Sequence, residues 1–329
     1  MPDTPLVSVV VPCFNHGRFL REALASVGRP QTRTEIVVVD DGSTDSTPEV
    51  VASFETTNEF RSVRQPNAGL AAARNRGLQE SRGKYLIFLD ADDQLAPGAV
   101  DLGVSKFEEH PECAFVFGRG RMMNHEGTLI DTPAQPPVVR DYYRDLLRRN
   151  YIWMPAMVMF RRDTLERMGG FNGHVNAAAD YEMYLHIARH HPVHDHAQVV
   201  AHYRKHDANM RGNAGRMLRE TLAVMRIQRP FLEGDQASLA AYAEGWRMWQ
   251  EFYGEVLVTE IRTAVREHRW IDAMLKAAVL ARYHPRGLWH HLRRQAQLTL
   301  LRVAYAGRAM PAAEIPARRR RASSSSGNR

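Results

Sequence analysis

Three short apolar runs constrain the fold of this chain more than any other feature of its sequence. They lie at residues 6–11, 35–39 and 84–89, and each is rich in Val, Ile or Leu; the first ends at Pro12 and the other two end in acidic residues. Such runs are typical of strands that are buried on both faces of a parallel sheet. Residues 17–27 and 67–82, between the runs, have a helical composition. Strands that alternate with helices predict a doubly wound α/β sheet with right-handed crossovers.

Polar and acidic residues follow all three predicted strands. Residues 12–15 follow the first strand, Asp40 and Asp41 end the second, and residues 90–93 follow the third. In open α/β sheets, ligands bind beyond the carboxyl ends of the strands. We therefore expect these three segments to converge on one edge of the sheet and to form a binding site there.

The acidic segment Asp90-Ala91-Asp92-Asp93 is the sharpest local signal in the sequence. Carboxylates two residues apart can place oxygen ligands around one hard divalent cation, and a solvated acidic turn is the alternative interpretation. Asp40 and Asp41 alone would fit an N-cap and a turn. Next to the Asp90 segment, they can instead accept hydrogen bonds from a ribose hydroxyl or from a pyrimidine ring N–H. Diphosphate chemistry requires such a cation, so the two acidic segments together favour a nucleotide ligand.

Two common nucleotide-binding motifs are absent from the sequence. A dinucleotide-binding fold requires Gly-x-Gly-x-x-Gly directly after its first strand, but residues 12–17 read Pro-Cys-Phe-Asn-His-Gly. The P-loop pattern Gly-x-x-x-x-Gly-Lys-Ser/Thr is also missing. These observations argue against a nicotinamide dehydrogenase and against a P-loop NTPase.

Three charged residues on predicted helices have two possible roles each. Arg74 lies within the first two turns of its helix, where it can pair with a phosphate or remain a surface residue. Asp180 and Glu182 begin a helix that runs to about residue 189. One of them can act as general base for an alcohol, or both can stabilise the helix N-terminus as cap and first-turn acid. Residues two apart on a helix diverge, so only one of them can point squarely at a shared site.

Fifteen His residues raise the question of a metal site. We expect four of them, His190, His191, His194 and His196, to lie in a solvated loop. His206 differs because it follows a strand that we predict at residues 199–203. It is therefore the one histidine that we single out as a candidate site residue.

Composition and charge exclude several classes of protein. The mean hydropathy of −0.42 argues against a multi-span membrane protein, and residues 1–16 lack the basic start and apolar centre of a signal peptide. The two cysteines, Cys13 and Cys113, are too few for a disulfide framework and fit a reducing compartment. We therefore expect a cytoplasmic location.

The net charge of +7 is concentrated at the C-terminus, where residues 301–329 hold seven Arg and one Glu. The remaining residues are close to neutral, so we expect no nucleic-acid partner for the folded part. Arg residues interleave with Leu and Trp at residues 288–308. This segment can form a basic amphipathic helix that contacts an anionic membrane surface peripherally, or a helix that is merely solvated.

Seven segments, in their order along residues 6–210, resemble the family 2 glycosyltransferases, an inverting group with the GT-A fold. The segments are VSVVVPCFNHGRFLREALASV, EIVVVDDGSTDST, QPNAGLAAARNRG, KYLIFLDADD, GGFN, ADYEMYLHIAR and HYRKHDANM. The resemblance implies a Rossmann-like GT-A domain at residues 1–215, with a nucleotide-binding half at about 1–98 and an acceptor half at about 99–215. Composition predicts a helical C-terminal region at residues 216–310 and a disordered basic, Ser-rich tail at residues 311–329.

The resemblance also implies a set of nucleotide-sugar-binding residues. Those that would line the base pocket or hold the base, the ribose and the phosphates are Pro12, Phe14, Asn15, Asp40, Asp41, Arg74, Asp90 and Ala91. Asp90-Ala91-Asp92 resembles the family's D-x-D motif, in which Asp92 would be the ligand of a Mg²⁺ or Mn²⁺ ion. His206 corresponds to the His of the family's Y-R-x-H segment, near the diphosphate and the metal.

Asp180 corresponds to the residue that serves as general base in the family, with Glu182 as a second candidate. The family often has Glu directly before this Asp, whereas this chain has Ala179. The Gln-x-x-Arg-Trp motif and the transmembrane helices of processive members are not found in this sequence. The implied activity is therefore single-sugar transfer from a nucleotide-diphosphate sugar, with UDP as the expected nucleotide.

The acceptor implied by the resemblance is a saccharide or a lipid-linked molecule, in cell-surface polysaccharide or glycoconjugate synthesis. The alternative function is a sugar-nucleotide-binding or scaffold protein that has the same fold without catalysis. Asp92, Asp180 and His206 are all present in the sequence, which favours the enzyme over this alternative.

Overall fold

The structure of the chain is a computed structural model, and it describes residues 4–54, 59–138, 141–206, 213–285 and 289. The predicted disordered tail at residues 311–329 lies outside the described residues. So does the predicted basic amphipathic segment, apart from Trp289.

Nine strands form one mixed sheet in the described part of the chain. They are β1 (Val7–Cys13), β2 (Thr34–Asp40), β3 (Phe60–Arg64), β4 (Tyr85–Phe88), β5 (Gln94–Leu95), β6 (Phe115–Met123), β7 (Leu129–Ile130), β8 (Val158–Arg161) and β9 (Val193–Arg204). Their order is β3-β2-β1-β4-β8-β6-β9-β5, and β7 pairs with β6. The first four strands in this order are parallel, whereas β8 runs antiparallel to both of its neighbours. The predicted parallel sheet is therefore correct for its N-terminal half only.

Ten α-helices accompany the sheet among the described residues. They are α1 (Gly17–Ser26), α2 (Thr47–Ala52), α3 (Leu70–Glu80), α4 (Ala99–Glu109), α5 (Tyr142–Arg148), α6 (Arg162–Arg167), α7 (Ala179–His190), α8 (Ala214–Gln228), α9 (Gln236–Arg266) and α10 (Trp270–Tyr283). Short 3₁₀ helices lie at Pro155–Met157, Gly173–Ala178 and Arg229–Leu232. None of the helices in the described ranges combines the length and the apolar character that a bilayer crossing requires.

The predicted apolar runs form the centre of the sheet. All residues of β1 and β4 are buried, which explains why their sequences show no alternation of polar and apolar residues. Helix α3 packs closely against β1. Gly77 of α3 lies so near Val10 that a Cβ atom at Gly77 would overlap the Val10 side chain. This close packing holds the N-terminal half of α3, including Arg74, beside the carboxyl ends of β1 and β4.

Strand β3 has no counterpart among the predicted strands. Its sequence FRSVR buries only Phe60, whereas Ser62 and Arg64 are exposed, because β3 lies at the edge of the sheet. An edge strand with polar residues lacks the continuous apolar run that reveals β1, β2 and β4.

The expectation that His194 and His196 lie in a solvated loop is wrong. Both belong to β9, which begins at Val193, six residues before the predicted strand. The His196 ring packs against Gly118 of β6, and burial lowers its pKa to about 4. A buried bidentate pair between Arg119 and Asp195, with two N–O distances of 2.6 Å, joins the two strands nearby. The first half of β9 is only partly buried and contains polar residues, so its sequence lacks the apolar run that would predict a strand.

The C-terminal helices pack directly on the α/β core. The predicted boundary at residue 215 falls at the second residue of α8. Val224, Met225 and Ala241 belong to the same buried apolar cluster as the sheet. A smaller cluster, centred on Leu218, Leu257 and Leu280, joins α8, α9 and α10 to one another.

Candidate functional site

A cavity of about 910 Å³ lies at the carboxyl ends of β1, β2 and β4. Eight of the residues predicted from the sequence line it: Pro12, Phe14, Asp41, Arg74, Asp90, Ala91, Asp92 and Asp180. The three polar strand ends therefore converge on one edge of the sheet, as the α/β pattern predicts. Asn15, Asp40, Glu182 and His206 are not among the lining residues.

Asn15 and Asp40 shape the loops below the cavity. Asn15 has a positive φ of 56°, and its Oδ1 accepts a hydrogen bond of 2.8 Å from the Thr44 backbone N–H. Its own N–H donates to Ser43 Oγ, at 3.0 Å. Asp40 accepts a 2.8 Å hydrogen bond from the Ser43 N–H. The Asn15 bonds join the loop after β1 to the loop after β2, and the Asp40 bond closes the turn of the second loop, so both residues position the cavity wall.

Asp41 holds the loop that precedes α3. Its Oδ1 accepts from Gln65 Nε2 at 2.7 Å and from the Ala68 N–H at 2.9 Å, and its Oδ2 accepts from the Gly69 N–H at 2.9 Å. An ionised carboxylate has about four lone-pair sites, so one acceptor position remains. Asp41 thus fixes the entry to α3 and still lines the cavity.

Arg74 is buried, which excludes the interpretation as a surface residue. Its Nη2 donates to both carboxylate oxygens of Asp90, at 2.8 and 3.2 Å. Burial opposes the charge of Arg74, but the negative charges of Asp90 and Asp180 outweigh it and raise the pKa of the guanidinium. Arg74 therefore links the D-x-D segment to Asp180 electrostatically.

Asp92 and His206 form a close pair beside the cavity. Nε2 of His206 lies 2.9 Å from Oδ2 of Asp92, and the His206 side chain is only 3% exposed. Burial opposes ionisation of Asp92, but its hydrogen bond to His206 and the charges of His16 and His206 hold its pKa below the usual value. His16 at the start of α1 adds a third potential ligand atom, and the three atoms lie within 4.8 Å of one another. Two imidazoles and a carboxylate fit a divalent cation of the transition series.

Arg204 is a buried residue of this site that the sequence did not single out. Its backbone N–H donates to Asp93 Oδ1 at 2.8 Å, and its Nε donates to the backbone carbonyl of Asp92 at 2.9 Å. Its Nη2 contacts Glu22 of α1 at 2.6 Å. Arg204 thus fixes the Asp92–Asp93 turn against β9 and α1. The Y-R-x-H segment includes Arg204, but its sequence alone does not show that Arg204 binds the acidic turn.

Asp180 and Glu182 diverge from the first turn of α7, as their spacing predicts. Asp180 lines the cavity and accepts a 2.8 Å hydrogen bond from the Tyr181 N–H, while the N-cap position belongs to Ala178. Glu182 is buried away from the cavity, and burial raises its pKa. Of the two acids, Asp180 alone lines the cavity.

The far wall of the cavity consists of residues from α8 and α9, which the sequence analysis did not assign to the site. They are mainly large and apolar: Met217, Met248, Trp249, Phe252, Tyr253 and Val256. Trp249 stacks on Tyr253 with ring centroids 5.7 Å apart and meets Tyr181 edge to face at 5.8 Å. We call this surface the aromatic wall. Helical periodicity predicts an apolar face on α9 but does not reveal that this face meets the carboxyl edge of the sheet.

Solved structures of similar shape share this fold. S. aureus TarS 1-349 in complex with UDP-GlcNAc has a TM-score of 0.54 at 17% identity, over 85% of this chain and 91% of that chain. Mannosyltransferase PcManGT from Pyrobaculum calidifontis, in complex with GDP-Man and Mn²⁺, has a TM-score of 0.55 at 20% identity, over 88% of each chain. At such low identity the likeness establishes the fold alone, and it confirms the predicted GT-A domain with C-terminal helices.

Proteins of similar sequence include polysaccharide synthases and glycosyltransferases. Chondroitin synthase from Escherichia coli is 31% identical over 186 residues, which are 56% of this chain and 26% of that protein. The putative teichuronic acid biosynthesis glycosyltransferase TuaG from Bacillus subtilis is 31% identical over 163 residues, which are 49% of this chain and 64% of TuaG. The chain spans only 19–26% of the length of the chondroitin and hyaluronan synthases that it matches.

A family model covers the segment that supplies the strand ends lining the cavity. Residues 8–169 match the model described as Glycosyl transferase family 2. This segment contains β1, β2 and β4, the buried Arg74 and the acidic turn at Asp90–Asp92. Residues 8–169, about half of the chain, form a domain of glycosyl transferase family 2.

Proposed function

We propose that the protein transfers one sugar from a nucleotide-diphosphate sugar to an acceptor hydroxyl, with inversion at the anomeric carbon. The observation that carries this proposal is the placement of Asp92 and Asp180 on one cavity, from different elements of the fold. Asp92 belongs to a potential cation site, and Asp180 is an acid available to a second substrate. An enzyme that transfers a sugar from a charged leaving group to an incoming alcohol uses a cation for the leaving group and a base for the alcohol.

The donor side of the cavity favours a nucleoside diphosphate sugar. The related structures contain UDP-GlcNAc in TarS and GDP-Man with Mn²⁺ in PcManGT, which supports a donor of this class and a divalent cation. In this chain, Pro12, Phe14 and Asp41 would contact the base and ribose. Arg74 would lie near the phosphates, since its buried Nε has no hydrogen-bond partner among the described residues. We take UDP as the first nucleotide to test.

Asp180 would act as general base in a single displacement. Its carboxylate removes the proton from the acceptor hydroxyl while that oxygen attacks the anomeric carbon. The bond between this carbon and the diphosphate oxygen breaks on the opposite face, so the configuration inverts. A Mg²⁺ or Mn²⁺ ion, when bound by Asp92 and His206, would offset the negative charge that develops on the leaving diphosphate. Arg74 contributes a fixed positive charge nearby.

The aromatic wall would receive the acceptor. It lines the same cavity as the donor residues and offers aromatic rings on which the apolar face of a sugar can stack. Phe252 is 56% exposed, so the apolar surface continues outward at the cavity mouth. An acceptor with both a saccharide and an apolar part, such as a lipid-linked saccharide, fits this surface best. The absence of the Gln-x-x-Arg-Trp sequence agrees with non-processive transfer.

We also propose that the protein works in the cytoplasm and touches an anionic membrane surface. Four large apolar residues are exposed within the first two turns of α10: Trp270, Ile271, Met274 and Leu275. The following residues 286–329 contain ten Arg and one Glu. Apolar side chains next to a strongly basic segment favour a surface that is both hydrophobic and negatively charged.

A screen of nucleotide sugars tests the proposed activity. Wild-type protein and Asp180→Asn are incubated with each donor, with Mn²⁺ or Mg²⁺ and an alkyl glycoside acceptor, and released nucleoside diphosphate is measured. We expect one donor to give release that depends on Asp180 and on the metal, with an inverted anomeric configuration in the product by NMR. Donor binding without transfer to any acceptor would favour the non-catalytic alternative, and no donor binding would contradict the proposal.

A further inference from the structure

The loop after β1 brings a second histidine to the potential cation site. His16 precedes α1, Asp92 follows β4 and His206 follows β9, so three separate parts of the fold meet here. Each offers one ligand atom, and these atoms lie within 4.8 Å of one another. At metal–ligand distances of about 2.1 Å, neighbouring ligand atoms are about 3 Å apart and opposite ones about 4.2 Å, so the three atoms would move closer together when an ion binds.

Neighbouring side chains hold the two imidazoles in place. The rings of His16 and His206 are nearly perpendicular, with centroids 5.8 Å apart and an interplanar angle of 88°. The Phe19 ring lies 4.9 Å from the His206 ring and 6.2 Å from the His16 ring. A buried Arg204 stacks over the other side of this cluster, with its guanidinium 4.8 Å from the Phe19 ring. The histidines are therefore oriented by packing before any ion binds.

We propose that His16 is a third protein ligand of the catalytic cation, and that the resulting two-histidine, one-carboxylate set selects Mn²⁺ over Mg²⁺. The inference rests on the proposed function for the identity of the reaction, but the metal preference follows from the donor atoms. Mg²⁺ favours oxygen ligands and retains several waters, whereas Mn²⁺, as the first ion of the Irving–Williams order, accepts imidazole nitrogen more readily than Mg²⁺ does. A D-x-D segment alone would present oxygen atoms only. His16 and His206 change the set to two nitrogens and one oxygen.

Metal binding without sugar transfer provides the test. Mn²⁺ is titrated into the full chain, alone and with UDP, and bound Mn²⁺ is followed by electron paramagnetic resonance. Pulsed measurements then count the nitrogen nuclei coupled to the ion. For the wild type we expect two imidazole nitrogens and displacement by Mg²⁺ only at an excess of about a hundredfold. The variant His16→Gln should show one nitrogen, at least tenfold weaker Mn²⁺ binding and easier displacement by Mg²⁺.

A matched variant separates ligation from general damage. His174→Gln changes an exposed histidine that does not line the cavity, so its Mn²⁺ binding should equal that of the wild type. Circular dichroism and thermal unfolding of both variants verify that each is folded. Equal nitrogen counts and equal Mn²⁺ affinity in wild type and His16→Gln would overturn the inference. So would a wild type that binds no Mn²⁺ either alone or with UDP.

The outcome also distinguishes this inference from the proposed function. Two coupled nitrogens in a protein that consumes no nucleotide sugar would support His16 as a ligand and contradict the transferase. Sugar transfer with one coupled nitrogen would support the transferase and reject His16 as a ligand. In that case His16 would contact the diphosphate instead, and His16→Gln would weaken UDP binding equally with Mn²⁺ and with Mg²⁺.

Discussion

Nε2 of His206 lies 2.9 Å from Oδ2 of Asp92, although 114 residues separate them in the chain. Arg204 reinforces this contact, because its side chain binds the backbone of the same acidic turn. The end of β9 therefore positions the Asp90–Asp92 turn from a distant part of the chain. Asp92 also keeps a low pKa, since its hydrogen bond and the two histidine charges overcome the effect of burial. The Asp92 carboxylate is therefore ionised at neutral pH, as a cation ligand must be.

Replacement of Asp92 should weaken nucleotide binding only when metal is present. For Asp92→Asn we expect at least tenfold weaker binding of UDP in Mn²⁺, about 1.4 kcal/mol, because the anionic ligand is lost. In EDTA, wild type and variant should bind UDP equally. Isothermal titration calorimetry measures both conditions, with Asp101→Asn, which lies outside the cavity lining, as the control. Unchanged affinity in Mn²⁺ would rule out Asp92 as a ligand.

Substitution of Asp180 should lower turnover far more than substitution of Glu182, although both acids lie on the first turn of α7. Asp180→Asn should lower kcat by about 10²–10⁴-fold, the usual contribution of a general base, with donor affinity nearly unchanged. Glu182→Gln should retain kcat to within about threefold, because Glu182 is buried away from the cavity. Steady-state kinetics with the donor found in the screen compares them. A larger loss in Glu182→Gln than in Asp180→Asn would reverse the assignment.

The aromatic wall can be tested with two phenylalanines of equal exposure. Phe252 and Phe231 are both 56% exposed, but only Phe252 lines the cavity. Partial burial of a phenyl ring against an acceptor is worth about 1 kcal/mol, or roughly fivefold in affinity. We expect Phe252→Ser to reduce the preference for octyl over methyl β-D-glucoside by this factor, as measured by calorimetry. Phe231→Ser should preserve the preference, and an equal loss in both variants would contradict the assignment of the wall.

Stability should fall as the pH decreases from about 7 towards 4. Burial lowers the pKa of His196 to about 4, whereas an unfolded His titrates near 6.5. Between these values the unfolded chain binds a proton that the folded chain does not, so acid favours unfolding. Urea unfolding at pH 7.5 and pH 5 should show a smaller decrease in His196→Gln than in the wild type. Identical pH dependence in the two proteins would place the responsible groups elsewhere.

Membrane contact should depend on both the apolar face of α10 and lipid charge. Wild-type protein should sediment with vesicles of phosphatidylglycerol and much less with vesicles of phosphatidylcholine. Replacing Trp270 and Ile271 together with Ser removes two exposed apolar residues and should lower binding several-fold, while UDP binding stays unchanged. Phe231→Ser serves as the exposed control. Equal sedimentation of wild type and double variant would reject this contact.

The sequence predicts the N-terminal part of the sheet well because β1 and β4 are fully buried and β2 is mostly buried. Strands β1, β2 and β4 lie in the interior of the sheet, and their apolar runs identify both the strands and the polar turns that follow. The turn at Asp90 and the helix bearing Arg74 follow from that pattern. The family resemblance is confirmed by the comparisons, and the fold it implied is confirmed by related structures.

The parts of the fold and the site that the sequence does not predict depend on contacts between residues that are far apart in the chain. The edge position of β3 and the half-buried histidines of β9 arise from the neighbours that each strand acquires in the sheet. Arg204 becomes a site residue only because α1 supplies Glu22 and the loop after β4 supplies the Asp92 carbonyl. Likewise, the apolar pattern of α9 does not distinguish packing against the core from a position at the cavity. The sequence pattern of each segment does not indicate which distant residues it will contact.

The two sides of the cavity come from parts of the chain that are under different constraints. Residues 8–169 provide the strand ends, where a shifted turn would disturb several hydrogen bonds at once, as at Asp41. The opposite side is a helix surface, on which Met248, Phe252 and Val256 follow one another at four-residue intervals. Substitutions along that row change the shape of the cavity without moving the backbone of the sheet. Under the proposed function, this row could change with the acceptor one side chain at a time, while the strand ends that would hold the donor stay in place.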